Sequence, residues 1–140
     1  MDCKENIEEE ELNEYILNLA GNPKNMGKIP EGERSVCHSY KGPCGETMTF
    51  FLKINNNSKS IEKARFVTDG CEAAKASASQ TMKLIEGKSL NFAENLNPEE
   101  IDKALGGLPA DHKHCAELAI RTLQHTIKKY RNENSKKKSL

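Results

Sequence analysis

The stretch TMTFFLKINNNSKSIEKARFVTDGCEAAKASAS, residues 47–79, changes character at Gly70, and that change decides the fold class. Two extended segments, TMTFFLKI and IEKARFVTD, flank the polar NNNSKS, a pattern that predicts two antiparallel strands joined by a turn. Beyond Gly70 the chain is rich in Ala and Ser. Ala74, Ala78, Met82 and Ile85 recur at helical spacing, which predicts a helix that packs close to its neighbours and ends at Gly87. Upstream, an extended stretch around Ser35 to Tyr40 reaches the bend GPCG, residues 42–45, and adds a third strand to the meander. A short first helix carries Leu12, Tyr15, Ile16 and Leu19 on one face and is stopped by Gly21 and Pro23. Downstream, LNPEEIDKALGGL reads as a short helix with Asn97 as cap, Pro98 at its first position, and Gly106 and Gly107 at its end. A last helix is predicted from about His112 to Tyr130, with Leu118, Leu123 and Ile127 on its apolar face. The order is α+β: a small antiparallel three-stranded sheet packed against several helices in a single domain.

The chain of 140 residues is one domain's worth, and its 36% hydrophobic content is low mainly because of its two ends. Residues 1–10 are expected to be a flexible acidic N-terminus, 11–130 the folded domain, and 131–140 a flexible basic tail. Lys plus Arg and Asp plus Glu balance at 21 each, so no global field recruits nucleic acid or a membrane surface. No apolar run is long enough to cross a bilayer and no signal core precedes the domain, which together place the protein in the cytoplasm. The five cysteines, an odd number, then read as free thiols in a reducing compartment rather than a disulfide framework.

Three of those cysteines stand at junctions between elements: Cys44 at the GPCG bend, Cys71 where strand gives way to helix, and Cys115 in the first turn of the last helix. Unpaired N–H groups and the positive end of the dipole at a helix N-terminus favour thiolate over thiol. Gly45 and Gly70 leave room beside the sulfurs. The separations match no compact metal-binding signature, so spacing alone leaves open buried filler, nucleophiles and metal ligands.

Five dispersed stretches narrow the choice: NPKNMG, GPCGE, ARFVTDGCEAAKASAS, EGKSL and HKHCAELA. Their order and approximate separations resemble the NifU/IscU family of iron-sulfur cluster assembly scaffolds, and the resemblance runs from about Tyr15 to Tyr130. It implies an IscU-like fold and a non-enzymatic protein that assembles a transient [2Fe-2S] cluster from iron and sulfur and passes it to apo iron-sulfur acceptor proteins. It places the family's cluster cysteines on Cys44, Cys71 and Cys115, and the family's histidine on His114. Glu46 stands where the family usually has aspartate, so Glu46 and His114 are the candidates for a further cluster ligand, with proton handling during persulfide transfer the alternative role of the His114 imidazole. A cysteine desulfurase is the implied sulfur donor, with Cys115 the candidate persulfide acceptor, and zinc suits the same thiolates when iron is absent. The resemblance leaves open a monomer or a cluster-dependent dimer.

The chain departs from the family in places. The LPPVK segment that a specialised Hsp70/J-protein chaperone system recognises in many members reads LPADH here, Leu108 to His112, which leaves that partnership open. The long insertion of the zinc-dependent sulfurtransferase branch is missing between Cys71 and Cys115, so that enzyme reading is the alternative rather than the first choice. A thiol hydrolase using Cys115 with His112 lacks an orienting third residue, and a structural-zinc module would unfold on metal removal. Cys37 and His38 are extra to the family pattern, His125 lies well down the last helix, and Cys3 falls in the acidic start. His112 is placed to enter the site region. No cysteine-rich module accompanies the domain, which suggests a standalone scaffold.

Overall fold

The structure is a computed structural model and describes residues 12–43 and 45–139. The acidic start, with Cys3, lies outside the described residues, and so does Cys44. The order is α1 (Glu14–Gly21), β1 (Val36–Lys41), β2 (Thr47–Asn55), β3 (Ser60–Thr68), α2 (Glu72–Ile85), α3 (Leu90–Glu94), α4 (Pro98–Ala104), a 3-10 turn (Ala110–His112) and α5 (Lys113–Ser139). The strands form one antiparallel sheet in the order β1-β2-β3, as the sequence pattern predicts.

One face of the sheet is the core. Met48, Phe50, Leu52 and Ile54 alternate inward along β2 and are buried. Phe50 pairs with Phe66 and Leu52 with Ala64, but Ile54 pairs with Ile61, because the register slips between Lys53 and Ile54. That bulge brings Ile61 onto the same face as Ala64 and Phe66, which a strict alternation would forbid. In the turn that follows β2, the Asn55 side chain accepts from the N–H groups of Asn57 at 2.9 Å and Ser58 at 3.0 Å, the local bonding that makes Asn a turn former.

The outer edge of β3 would present unpaired backbone groups to solvent, and two of the motif stretches cover it. From NPKNMG, Asn25 O accepts from Phe66 N at 3.0 Å and Gly27 N donates to Phe66 O at 2.8 Å. From EGKSL, Gly87 N donates to Ile61 O at 2.7 Å and Lys88 O accepts from Ile61 N at 2.8 Å. These stretches close the outer edge of the sheet.

Helices α2 and α5 pack on the inner face and on each other. Ala73, Ala74, Ala76, Ser77, Ala78 and Ser79 are all buried in α2, and small side chains on every side let the helix approach the sheet, α1 and α5 closely. Several buried hydroxyls find carbonyls: Ser79 donates to Lys24 O at 2.7 Å, Thr122 to Leu118 O at 2.8 Å, and Thr126 to Thr122 O at 2.7 Å. Helix α4 carries the full capping box, with Asn97 and Glu100 bonded reciprocally and Pro98 at the start.

Two elements differ in extent from the sequence pattern. Helix α3 is an added short helix, capped by Ser89 accepting from Phe92 N at 3.0 Å. Helix α5 continues past Tyr130 to Ser139, into the basic stretch, which has neither Gly nor Pro to stop it. No helix among the described residues is long and apolar enough to cross a membrane.

Candidate metal centre at the sheet rim

Three chain segments meet at one end of the sheet. The first is the β1–β2 connection, where Gly42 N donates to Glu46 O at 2.8 Å and Gly45 N to Gly42 O at 3.0 Å. Gly45 has φ +92°, a conformation that side chains with a Cβ rarely adopt. The second is the junction from β3 to α2. Asp69 Oδ1 accepts from Thr47 N at 2.7 Å, Thr68 Oγ1 donates to Thr47 O at 2.7 Å, and Gly70 N donates back to Thr68 Oγ1 at 3.1 Å. These bonds tie the start of β2 to the residue before Cys71. The third is the loop that enters α5. Asp102 Oδ1 accepts from Leu108 N at 2.6 Å, while Lys113 Nζ donates to Asp102 Oδ2 at 3.1 Å and to Leu108 O at 2.9 Å. One carboxylate on α4 therefore pins both ends of the segment that carries His112.

Cys71 is the N-cap residue of α2 and is exposed, whereas Cys115, in the first turn of α5, is fully buried. Their sulfurs and one His112 ring nitrogen lie within 4.8 Å of one another, the one group of three metal-ligating side chains found among the described residues. His112 Nδ1 is buried and has no hydrogen-bond partner among those residues. Asp111 Oδ1, equally buried and unpartnered by a hydrogen bond, is 4.0 Å from His112 Nε2.

Glu46 and His114 complete a second arc of the rim. His114 Nε2 is 3.5 Å from Glu46 Oε1 and 3.8 Å from Cys115 Sγ. Glu46 Oε2 would lie 3.3 Å from a Cβ placed on Gly70, so the carboxylate bridges the space between the Cys71 junction and His114. Gly70 itself is obligatory on steric grounds: that Cβ would stand 2.7 Å from the Ala74 Cβ.

The Cys71 thiol is drawn down to about 5 from its usual 9.0. The Cys115 thiol, hydrogen-bonded to it, is the largest cause; burial opposes the shift, and the N–H groups of Ala74 and Ala73 and the charge of His112 assist it. Cys71 is therefore a thiolate at neutral pH, the form that both binds metal and attacks sulfur. Folding with Cys71 ionised releases a proton between about pH 5 and 9, so this group's contribution to stability is complete above its unfolded value and is lost as pH falls through about 5.

Two thiolates and an imidazole, with a carboxylate alongside, are a donor set that suits zinc and iron. Bonds of about 2.0–2.3 Å to a tetrahedral ion require donors about 3.3–3.8 Å apart, so the trio needs to contract by roughly 1 Å at its widest. One His112 ring nitrogen is a donor of the right kind within reach of both sulfurs.

Residues 11–137 match the NifU-like N terminal domain. The chain belongs to this family. The NifU-like chain is 38% identical over 120 residues to the iron-sulfur cluster assembly scaffold protein IscU of Aquifex aeolicus, covering 86% of this chain and 76% of that one. It is 36% identical over 115 residues to an iron-sulfur cluster assembly scaffold protein IscU of Archaeoglobus fulgidus, covering 82% and 73%. In fold it is similar to the N-terminal NifU-like protein of Brucella abortus, with a TM-score of 0.64 at 18% identity over 86% of this chain and 94% of that chain.

Of the residues singled out from sequence, the structure of this NifU-like domain brings Cys71, Cys115, Glu46 and His114 to one rim, and it sets His112, which the sequence placed near the site region, beside the two sulfurs. The signal for His112 is its spacing from Cys115, one helical turn, which puts both on the same face where the helix begins. Asp102 and Asp111 had no such signal. Cys37 and His38 lie elsewhere: Cys37 pairs with Phe51 in the sheet, and His38 stacks at 5.9 Å on His125, which stacks at 4.9 Å on Tyr40, in a ladder between β1 and α5.

Proposed function

We propose that this chain is an iron-sulfur cluster assembly scaffold whose cargo is built at the rim between the β3–α2 junction and the start of α5. The observation that carries the reading is the meeting of an ionised, exposed Cys71 with buried Cys115 and an imidazole at the end of the sheet. A scaffold must hold iron and sulfide well enough to assemble them and loosely enough to release them. One sulfur buried and one exposed is a compromise of that kind. In this reading Cys44 provides the third thiolate, while Glu46 and His114 provide harder, more exchangeable donors. The cargo is a [2Fe-2S] cluster, with zinc held by the same thiolates when iron is scarce.

Sulfur arrives as the persulfide of a cysteine desulfurase. A thiolate of this chain attacks the outer sulfur, the donor's S–S bond breaks, the desulfurase thiolate departs, and a new persulfide remains here. Cys115, the acceptor that the resemblance favours, is buried, so the rim must open to admit the donor; Cys71 is already exposed and ionised. Each sulfane sulfur then needs two electrons from an external reductant to become sulfide. Apo iron-sulfur proteins take the finished cluster, a second protomer can share it as a dimer, and a reducing compartment such as the cytoplasm keeps the thiols available. The LPADH stretch lacks the second proline and the lysine of LPPVK, so docking of the specialised Hsp70 is expected to be weak.

The test is anaerobic reconstitution with ferrous iron, cysteine and a desulfurase. The expected product shows the absorption and Mössbauer spectra of a [2Fe-2S] cluster. Desulfurase turnover that rises with zinc-loaded protein alone, and no cluster, would replace this reading with the sulfurtransferase one.

A further inference from the structure

We propose that the pocket between the end of β1 and the first turns of α5 is a docking site for a carboxylate-bearing segment of the protein that receives the cluster, with Lys41 and Arg121 as its anion-binding side chains. The identity of that partner rests on the scaffold reading above; the chemistry of the pocket does not.

The pocket has a volume of about 400 Å³, within the range of ordinary ligand sites, and none of Cys71, His112 and Cys115 lines it. Gly42 and Leu118, both buried, form part of its wall; a Cβ on Gly42 would stand 3.1 Å from Leu118 Cδ1, so the glycine lets the end of β1 come this close to α5. Lys41 and Arg121 are exposed at the pocket, and neither side chain makes an ion pair or hydrogen bond among the described residues. A guanidinium presents a planar fork that matches a carboxylate, and the lysine adds a second cation on a mobile stem. The one carboxylate among the described lining residues is Glu117, a helical turn before Arg121, so the pocket keeps an excess of positive charge. That charge continues between β1 and α5, where Tyr40 stacks on His125 and His125 on His38, and Lys129 Nζ donates to Cys37 O at 2.9 Å. The His38 imidazole is held below its usual value, by burial first and then by the charges of Lys129 and His125, as expected where further positive charge is unwelcome and negative charge is favoured.

The occupant follows from where the pocket lies. His114 lines it and stands 3.5 Å from Glu46 Oε1, and these two are the exchangeable donors of the scaffold reading. In that reading sulfur enters by Cys71 and Cys115, neither of which faces the pocket. A partner held at Lys41 and Arg121 therefore stands beside the arc that releases the cluster rather than beside the thiols that receive sulfur. Tyr40, Pro43 and Leu118 give an apolar residue next to the partner's carboxylate a surface to pack on. Surface charges of this kind act mainly by steering encounter, so they set how readily the acceptor is engaged rather than how fast an engaged acceptor is loaded.

The test follows cluster transfer from the reconstituted full-length protein to an acidic apo-ferredoxin as the acceptor concentration is raised. The double variant Lys41→Glu/Arg121→Glu is expected to raise the half-saturating acceptor concentration about tenfold or more, with the saturated rate and the yield of assembled cluster within about twofold of wild type. Glu117→Gln lowers that concentration, and high salt brings all three proteins together because the charges are exposed. In metal-free wild-type protein, an acetylated and amidated peptide of alternating glutamate and leucine is expected to move the amide resonances of Lys41, Gly42 and Arg121, whereas its glutamine counterpart leaves them in place. Circular dichroism checks that the variants are folded, and the peptide measurement needs no variant. Equal half-saturation in wild type and the double variant, or resonances unmoved by the acidic peptide, overturns the proposal. Slower assembly with unchanged transfer overturns it too, and gives the pocket to the sulfur donor. If no cluster assembles at all, the scaffold reading fails and the partner's identity with it, while the peptide still decides whether the pocket takes carboxylates.

Discussion

Cys71→Ser and Cys115→Ser are each expected to reduce reconstituted cluster to background while the fold survives. A serine hydroxyl is a hard donor that stays protonated at neutral pH, so it offers iron neither the charge nor the polarisable sulfur that thiolate does. The two sites differ in what else they lose. Cys71 sits exposed at a helix start, but its ionised form stabilises the fold, so its serine variant should unfold at a lower urea midpoint than wild type at neutral pH, a difference that shrinks as pH falls through about 5. Cys115 is fully buried, and a hydroxyl there needs a partner; about 1–3 kcal/mol of destabilisation accompanies loss of the cluster unless the Cys71 sulfur accepts its bond. Cys44→Ser carries the same functional expectation from sequence. Cys3→Ser is the control and should reconstitute as wild type does. Full cluster yield from Cys71→Ser would remove that residue from the site.

Gly70→Ala is expected to damage fold and site together. The added methyl would lie 2.7 Å from Ala74 Cβ, and Ala74 is part of the helical frame of α2 rather than a flexible side-chain end, so the helix must shift. Forced accommodation of this kind in a packed region costs about 1–3 kcal/mol. The same methyl would press on Glu46 Oε2 at 3.3 Å and Thr68 Oγ1 at 3.4 Å, and Thr68 is the hydroxyl that ties Gly70 N to the start of β2. Cys71 is the next residue, so zinc affinity should fall with stability. Adding Ala74→Gly removes the clash and is expected to recover the affinity, although the second glycine costs the helix about 1 kcal/mol in propensity. An unchanged urea midpoint in Gly70→Ala would show that α2 yields without cost.

The sheet and its main helices were legible because their signals are local. The polar NNNSKS between two extended segments, the Ala and Ser run after Gly70, and the Asn97–Pro98 start of α4 each declare an element within a few residues. The slip between Lys53 and Ile54 was not legible, since Ile61 and Ala64 join one face only through pairing with β2. Nor was the extent of α5 beyond Tyr130, where the apolar face ends but helix propensity does not.

The site divides in the same way. Cys71 and Cys115 could be picked out because each stands at a junction with a glycine or histidine beside it. His112 joins them through tertiary geometry: its turn is set by Asp102 on α4, and no spacing in the sequence announces that clamp. The motifs NPKNMG and EGKSL proved to be covers for the β3 edge, so similarity to a family does not make every shared stretch part of the site.

A scaffold of the kind proposed above holds its cluster at this rim and hands it over whole. The direct measurement is anaerobic transfer from the reconstituted protein to an apo-ferredoxin, followed by the acceptor's circular dichroism, with and without a strong iron chelator in the external solution. The acceptor is expected to gain its cluster at the same rate and to the same yield in both conditions, because in whole-cluster transfer iron and sulfide never leave as free ions. Acceptor maturation that the chelator abolishes would contradict it, and would mean that the rim releases its iron into solution rather than passing on an assembled cluster.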